Sequence, residues 1–515
     1  MKTSMRWIVL SLAVAIVLAG AFWFFQIRRE ASPRIIWQKS QDLPITTISV
    51  TFRTGSANDP KGSEGLAYLT GRMIREGGVK AWGTYPERKR SELEDFLFPL
   101  ASDINVSIGK EQTAFTVTTA SQNAEVVLDI LLQLVLAPNF HPDEFARIKL
   151  ETVDFLTKQF PKEDQEELGK AALDQAIYSK EHPYGHIVEG TVAGVQGITN
   201  EKVSQFYQTH FTQANVTLGV GGVVPDSFEI RLKKGLSQLP KGIANTAALI
   251  PAPQNDSRKL TIVEGPFEAT GVHLGQTITP LRGHEDFGKL YLAATAFGKH
   301  RSFVGRLMKE VREVRGLNYG AYSYIEDYPR GGRLLIEPLN VARSRQAFTV
   351  WARPTAFQNG CFLLRQVLRE VTQLSTHGLN SEEFALGKSH LTGYIPLLGV
   401  GVERSLGYAI DAQFYAIPND YLSQLQKSVE ITSLESVKAA LQKHLSSKKM
   451  QLVVVTGDAK KFQEEIFSDK CPIHYPAGVQ KSEEVLRLDD EISQFPLGLT
   501  PQDVTVVSGD SITAN

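Results

Sequence analysis

A stretch at residues 65–73 (Gly-Leu-Ala-Tyr-Leu-Thr-Gly-Arg-Met) carries the first side chains whose spacing could support chemistry. It follows a predicted strand, 46–54, and a turn rich in Gly, Asn, Asp and Pro. We therefore expect a helix that packs back onto a sheet. Two histidines at i and i+4 of such a helix would bind zinc, and a glutamate beside them would activate water. At this spacing the sequence has Tyr68 and Arg72, with Gly71 next to them.

These residue types argue against a metal site on the helix. A phenol with a pKa of about 10 is a poor zinc ligand at neutral pH. The guanidinium of Arg72 is always charged and repels a divalent cation. Gly71 has no side chain that could act as a general base.

A second candidate site lies at residues 312–319 (Arg-Glu-Val-Arg-Gly-Leu-Asn-Tyr). The guanidinium of Arg312 and the phenol of Tyr319 are donors that can both point at negative charge as it develops in a reaction. The alternative is that Arg312 is a solvated helix residue and Tyr319 packs in the core. The residue types alone leave both interpretations open.

Composition limits the classes of function. With 515 residues the chain is long enough for two or more domains, and its contents of 42% hydrophobic and 22% charged residues are typical of a folded protein. A net charge of −1 argues against nucleic acid as a partner. Cys361 and Cys471 form no framework or metal pattern, so we interpret both as buried or incidental thiols.

The amino terminus, residues 1–30, is predicted to be a membrane anchor or a signal peptide. An apolar run at 7–25, flanked by basic residues, is long enough to span a bilayer as a helix. Residues 19–21 (Ala-Gly-Ala) resemble a signal-peptidase site, whereas the aromatic residues 22–25 suit a membrane interface and favour an uncleaved anchor. We expect the bacterial cell envelope, with a periplasmic body anchored in the inner membrane, or a periplasmic protein if the segment is cleaved. The orientation stays open.

The body of the chain repeats one order of elements. Residues 347–350 (Ala-Phe-Thr-Val) echo 114–117 (Ala-Phe-Thr-Val), and 380–388 echo 142–149. The sequence therefore predicts an α+β fold of two homologous tandem domains, each a mostly antiparallel sheet flanked by helices. The predicted boundaries are 35–250 for the first domain, 258–475 for the second and 476–515 for a tail that wraps the body.

Several motifs then resemble one family. The helix has Gly65, Leu66, Ala67 and Met73 in the frame G-L-A-H-x-x-E-H-M, and the chain has the block 181–185 (Glu-His-Pro-Tyr-Gly) followed by 189–191 (Glu-Gly-Thr). Residues 312–319 match R-x-x-x-G-L-x-Y. The chain thus resembles the pitrilysin/insulinase family of zinc metallopeptidases, as a member that lacks the zinc motif.

The resemblance implies which positions of this chain correspond to the metal ligands and the general base of the family. Tyr68 and Arg72 occupy the two histidine positions, and Gly71 occupies that of the catalytic glutamate. Ile148 falls at the position of the third ligand, and Glu151 lies three residues further on. No zinc or other cofactor is expected in this chain, and zinc is expected only in a partner subunit.

The resemblance also implies a role for the second candidate site. In the family, residues matching Arg312 and Tyr319 hydrogen-bond the substrate backbone and help to stabilise the oxyanion. Some bacterial members work as pairs, with the zinc motif on one chain and the Arg/Tyr pair on the other. The expected function is therefore a non-catalytic subunit that binds and processes peptides with an active homologue, as a hetero-oligomer, or as a homodimer.

Two alternatives stay open. One is a structural or assembly subunit of an envelope complex, and the other is an unorthodox active metalloendopeptidase. A substitute metal site at His182 and His186 is not expected, because Pro183 and Gly185 break the helix that would align them. Gly331 and the glycine after it are interpreted as a hairpin turn.

Overall fold

The computed structural model describes residues 33–245, 250–253, 255–326, 339 and 341–515. The apolar run at 7–25 and the predicted turn at Gly331 lie outside these residues. Within them the chain forms two sheets, one of five strands and one of six, each flanked by helices with its own core. This confirms the predicted α+β fold of two tandem domains.

The N-terminal half contains the first sheet. Its strands are β1 (Arg34–Lys39), β2 (Ile45–Phe52), β3 (Asn105–Ile108), β4 (Thr113–Ala120) and β5 (Val216–Gly222). Its helices are α1 (Leu66–Glu76), α2 (Arg90–Leu97), α3 (Ala124–Leu136), α4 (Pro142–Asp154), α5 (Phe160–Glu163), α6 (Gln165–Tyr178), α7 (Val192–Gln196), α8 (Asn200–His210) and α9 (Phe228–Leu236). The strand order is β1-β5-β2-β4-β3, in which only the β1–β5 pairing is parallel.

The C-terminal half contains the second sheet. Its strands are β6 (Lys259–Glu264), β7 (Ala269–Ile278), β8 (Ala321–Tyr324), β9 (Gln346–Ala356), β10 (Gln451–Thr456) and β11 (Val504–Ser508). Its helices are α10 (Phe287–Gly298), α11 (Gly360–His377), α12 (Ser381–Leu398), α13 (Val402–Tyr415), α14 (Tyr421–Ile431), α15 (Leu434–His444), α16 (Ala459–Ile466), α17 (Glu483–Ser493) and α18 (Asp510–Ala514). The order is β11-β6-β10-β7-β9-β8, with β6 parallel to both of its neighbours.

Each half contributes one helix that packs on the sheet of the other half. Helix α6 of the N-terminal half packs on β7 and β10, and helix α13 of the C-terminal half packs on β1 and β5. Close approach requires glycine on the strands: a Cβ atom at Gly275 would lie 2.7 Å from Ile177 of α6, and one at Gly219 would lie 2.8 Å from Leu406 of α13. Each half therefore completes the burial of the other half's sheet.

The carboxyl-terminal tail is tied to both halves. Strand β11 adds to the second sheet through β6, and the Thr513 hydroxyl of α18 donates to the Leu156 carbonyl of the N-terminal half at 2.9 Å. None of the helices in the described ranges is long and apolar enough to cross a membrane.

The interpretation of the two cysteines as thiols is wrong. Cys361 at the start of α11 and Cys471 after α16 form a disulfide, and both residues are buried. Their Cα atoms lie 5.7 Å apart, a separation that a disulfide can bridge. Their sequence separation of 110 hides this proximity from sequence reasoning, because only the packing of the segment after α16 against α11 brings them together.

Candidate functional site

Helix α1 is positioned by a buried carboxylate that the sequence motifs did not indicate. Both carboxylate oxygens of Asp59 accept hydrogen bonds, one from the Gly65 amide and one from the Ala67 amide, each at 2.7 Å. Burial raises the pKa of Asp59 to about 8, although both backbone donors act to lower it. These bonds satisfy two of the amides that a helix start leaves open.

Ion pairs occupy the face of α1 where metal ligands would stand. The Arg72 guanidinium donates to Glu76, with Nε and Oε1 2.7 Å apart, and to Glu151 of α4, with Nη2 and Oε2 3.0 Å apart. Arg147 closes a ring, since its Nη2 lies 2.7 Å from Glu76 and its Nη1 lies 2.8 Å from Glu151. We call these four residues the Arg72 ring. Tyr68 flanks it, with its ring centroid 6.0 Å from the Arg72 Cζ atom.

The electrostatics of the Arg72 ring hold all four groups in their charged forms. Burial acts to raise the pKa of Glu76. The hydrogen bonds from Arg72 and Arg147 have the larger, opposite effect, so the pKa of Glu76 is lowered. The pKa of Glu151 is lowered in the same way. Burial would also lower the pKa of Arg72, yet Glu76 and Glu151 raise it above its usual value.

Gly71, which the resemblance places at the position of the general base, packs against strand β3. A Cβ atom at Gly71 would lie 2.7 Å from Cδ1 and 2.8 Å from Cγ1 of Ile108 at the end of β3. A side chain at this position would therefore require Ile108 to move.

The two candidates for a third ligand differ in orientation. Ile148 is fully buried in the core of the N-terminal half and does not reach Arg72. Glu151, on the same helix, faces α1 and accepts from Arg72. On this geometry Glu151 is the carboxylate that faces position 72.

A cavity of about 500 Å³ lies beside the Arg72 ring. Tyr68, Arg72, Ile108 and Lys170 line it from the N-terminal half, and Arg343 lines it from the C-terminal half. The side chains here do not fit zinc, since a guanidinium stands in place of one histidine and apolar atoms in place of the base. In the described residues no group of three or more His, Cys, Asp or Glu side chains is arranged for a metal.

The histidines of the 181–185 block serve packing. The Tyr184 amide donates to Nδ1 of His182 at 3.0 Å, and Nε2 of His182 lies 3.3 Å from the Ile250 carbonyl. Burial lowers the pKa of both His182 and His186. The loop packs by these side chains, as their sequence context indicated.

The structure brings Arg312 and Tyr319 together. Arg312 lies in a π-helical segment (Met308–Glu313), and its Cζ atom lies 4.5 Å from the Tyr319 ring centroid. Tyr319 is 65% exposed, so it is not a core residue. Among the described residues, no hydrogen bond or ion pair engages the Arg312 guanidinium or the Tyr319 hydroxyl. Two donors are thus held by ring stacking with their hydrogen-bonding capacity unused.

Two further residues extend this pair. The Cζ atom of Arg312 lies 4.8 Å from the ring centroid of Phe303, which is 64% exposed. The Cζ atom of Arg353 on β9 lies 5.4 Å from the Tyr319 centroid, and its Nε donates to Glu166 of α6 at 2.7 Å. We call Phe303, Arg312, Tyr319 and Arg353 the arginine–aromatic stack.

Sequence reasoning missed parts of both sites. Glu76 stands four residues after Arg72, and Arg147 stands four residues before Glu151, so helical spacing could have indicated both ion pairs. Phe303 and Arg353 carry no such signal, because their contacts join residues that are distant in the chain.

The two tandem α+β halves define a two-domain chain of the metallopeptidase type. The chain belongs to the insulinase family, peptidase family M16. The family model of the insulinase domain matches residues 34–190, and that of the "Peptidase M16 inactive domain" matches residues 197–391.

Relatives by sequence carry names of the same kind. The chain is 25% identical over 305 residues to the "Uncharacterized zinc protease YmxG" of Bacillus subtilis, covering 59% of this chain and 70% of that protein. It is 26% identical over 314 residues to an uncharacterized zinc protease of Mycobacterium tuberculosis strain H37Rv, covering 59% and 67%. The chain is therefore a homologue of M16 zinc proteases.

Solved structures share the fold. The M16 inactive domain of Pseudomonas fluorescens is similar with a TM-score of 0.69 and 24% identity, covering 83% of this chain and 96% of that one. The periplasmic protease PqqL of Escherichia coli is similar with a TM-score of 0.64 and 15% identity, covering 90% of this chain and 49% of that one.

Proposed function

We propose that this chain is a non-catalytic member of the family that binds peptide beside an active homologue and supplies Arg312 and Tyr319 to their shared site. One contrast carries the proposal. The donors of Arg312 and Tyr319 have no partner in the described part of the chain, whereas Arg72 is engaged by Glu76 and Glu151. Side chains without internal partners are available for a ligand.

The chemistry of the two donors suits a peptide. A guanidinium and a phenol can donate to the carbonyl oxygens of an extended backbone and to the oxyanion that forms when a partner's zinc activates water. Removal of one such donor typically lowers the rate by about 100- to 1000-fold. The side chains around Arg72 and Gly71 do not fit zinc, so the metal and the general base would come from the homologue.

The proposed compartment is the bacterial cell envelope. The disulfide between Cys361 and Cys471 supports an oxidising environment, because disulfides are rare in the cytosol. The apolar run at 7–25 supports export through an anchor or a cleaved signal. The likeness in fold to a periplasmic protease is in keeping with this location.

Affinity purification of the tagged full-length chain from its own cells tests the proposal. We expect mass spectrometry of the complex to identify a homologue with an intact H-x-x-E-H motif. The purified complex should cleave unstructured peptides, and neither chain should do so efficiently alone. A chain that forms only homodimers, that assembles only with non-proteolytic envelope proteins, or that cleaves peptides alone would overturn the proposal.

A further inference from the structure

The arginine–aromatic stack places two guanidinium groups against one exposed ring. The Cζ atoms of Arg312 and Arg353 lie 4.5 Å and 5.4 Å from the centroid of Tyr319. Both guanidiniums thus lie within 6 Å of the same phenol ring. Positive charge is therefore concentrated around the exposed face of Tyr319.

Little negative charge in the described residues compensates these groups. Glu166 accepts from Nε of Arg353, but no described residue accepts from Nη1 or Nη2 of Arg353. No described carboxylate forms an ion pair with Arg312. Two guanidiniums thus share one carboxylate, Glu166, and the excess of positive charge favours the binding of an anion.

A groove with a mixed polar and apolar lining begins at Phe303 of the stack. It has a volume of about 700 Å³ between α10, α11 and α12, and its rim carries the exposed side chains of Phe303, Val304 and Leu386. Of the charged residues that line the groove, Arg306 pairs with Glu383 and Arg369 pairs with Glu370. Phe303 belongs to both the stack and the groove, so a ligand could contact both.

We propose that the stack selects peptides that carry an acidic side chain, and that the groove holds a large apolar residue next to that acid. The inference rests on the proposed function, in which Arg312 and Tyr319 contact the peptide, and it adds Arg353 and Phe303 as specificity-determining residues. A carboxylate can accept two parallel N–H bonds from one guanidinium, which suits the unused Nη groups of Arg353.

Direct binding tests the acid preference. Fluorescence anisotropy would compare amidated, N-terminally labelled peptides that differ at one position, Glu, Gln or Lys, with the purified full-length chain. Amidation removes the C-terminal carboxylate, so the variable glutamate carries the only carboxylate of the peptide itself. A hydrogen-bonded charge pair predicts that the Glu peptide binds about tenfold more tightly than the Gln peptide, and the Lys peptide most weakly.

Substitutions then assign the preference to the stack. Arg353→Gln should bring the Glu-to-Gln affinity ratio close to one, and Glu166→Gln, which removes the compensating carboxylate, should increase it. Arg231→Gln is the matched control, since Arg231 is a partly exposed arginine paired with Asp129 on the N-terminal half. Leu386→Ser should remove the preference for Phe over Ser at the neighbouring position and leave the Glu-to-Gln ratio unchanged.

The outcomes separate this inference from the proposed function. Equal affinity for Glu and Gln peptides, or an unchanged ratio in both Arg353→Gln and Glu166→Gln, would overturn the acid preference. The proposed function would still stand if Arg312 and Tyr319 variants slowed cleavage by the complex. An acid preference without any effect of those variants on cleavage would support the inference and remove the catalytic partnership.

Discussion

The guanidinium of Arg72 donates to the carboxylate of Glu151, with Nη2 and Oε2 3.0 Å apart, and this contact joins α1 to α4. Arg147 and Glu76 complete the ring of ion pairs around this contact. The Arg72 ring thus holds α1 and α4 together.

The Arg72 ring should contribute measurably to stability. Arg72→Ala leaves Glu76 and Glu151 with Arg147 as their remaining partner, and we expect the free energy of unfolding to fall by about 1–2 kcal/mol. Urea unfolding followed by circular dichroism measures the change. Arg90→Ala is the control, because Arg90 forms one exposed pair with Glu94, and it should cost less than about 0.5 kcal/mol. Equal losses in both variants would contradict a stabilising ring.

The same ring predicts a dependence of stability on pH. The folded pKa of Glu76 lies below its usual value of 4.5, so the unfolded chain binds more protons when the pH falls below that value. The stabilisation is complete above pH 4.5 and is lost as the pH falls through the folded pKa. The difference in unfolding free energy between the wild type and Glu76→Gln should therefore shrink between neutral pH and the acid range. A difference that stays constant would contradict this account.

Zinc binding should be recoverable by two substitutions on α1, whereas a general base at position 71 also needs space. The natural chain should hold no stoichiometric zinc after dialysis. Tyr68→His with Arg72→His should bind zinc through both histidines and the native Glu151, measured by elemental analysis. Adding Gly71→Glu should destabilise this variant unless Ile108→Ala is also present, because Ile108 occupies the space.

Two results would contradict this interpretation of the helix. One is stoichiometric zinc in the natural chain. The other is a folded double-histidine variant that binds no zinc, or that requires Ile148→Glu to do so, since Ile148 faces the core. Ligand placement depends on supporting contacts, so zinc affinity rather than peptidase activity is the appropriate measurement.

The disulfide should stabilise the C-terminal half. Cys361→Ser with Cys471→Ser should lower the free energy of unfolding by about 2–4 kcal/mol, because the bond closes a long loop in the unfolded chain. Calorimetry of the oxidised protein and the double variant measures the difference, and the reducing agent should have no effect on the variant. An identical melting temperature for the oxidised wild type and the variant would contradict the expectation.

The sequence predicted the features that depend on local pattern. Strand β2 lies at Ile45–Phe52, where a strand at 46–54 was predicted, and helix α1 lies at Leu66–Glu76, where the stretch 65–73 predicted a helix. The repeated segments correspond to β4 with β9 and to α4 with α12. The predicted boundary between the two domains, which end and begin at residues 250 and 258, stays a prediction.

Contacts between distant residues were beyond sequence reasoning. The disulfide joins residues separated by 110 positions, and the stacking of Arg353 on Tyr319 depends on the pairing of β8 with β9. The exchange of α6 and α13 between halves depends on close approach at two glycines, and no local motif marks it.

The most direct test of the account is peptide cleavage by the reconstituted complex of this chain with its active homologue. Arg312→Ala and Tyr319→Phe should each lower turnover by about 100-fold or more while both chains still co-elute, because an oxyanion donor is lost. Arg231→Gln should leave turnover unchanged. Unchanged cleavage by both Arg312→Ala and Tyr319→Phe in intact complexes would contradict the catalytic partnership and leave a structural role.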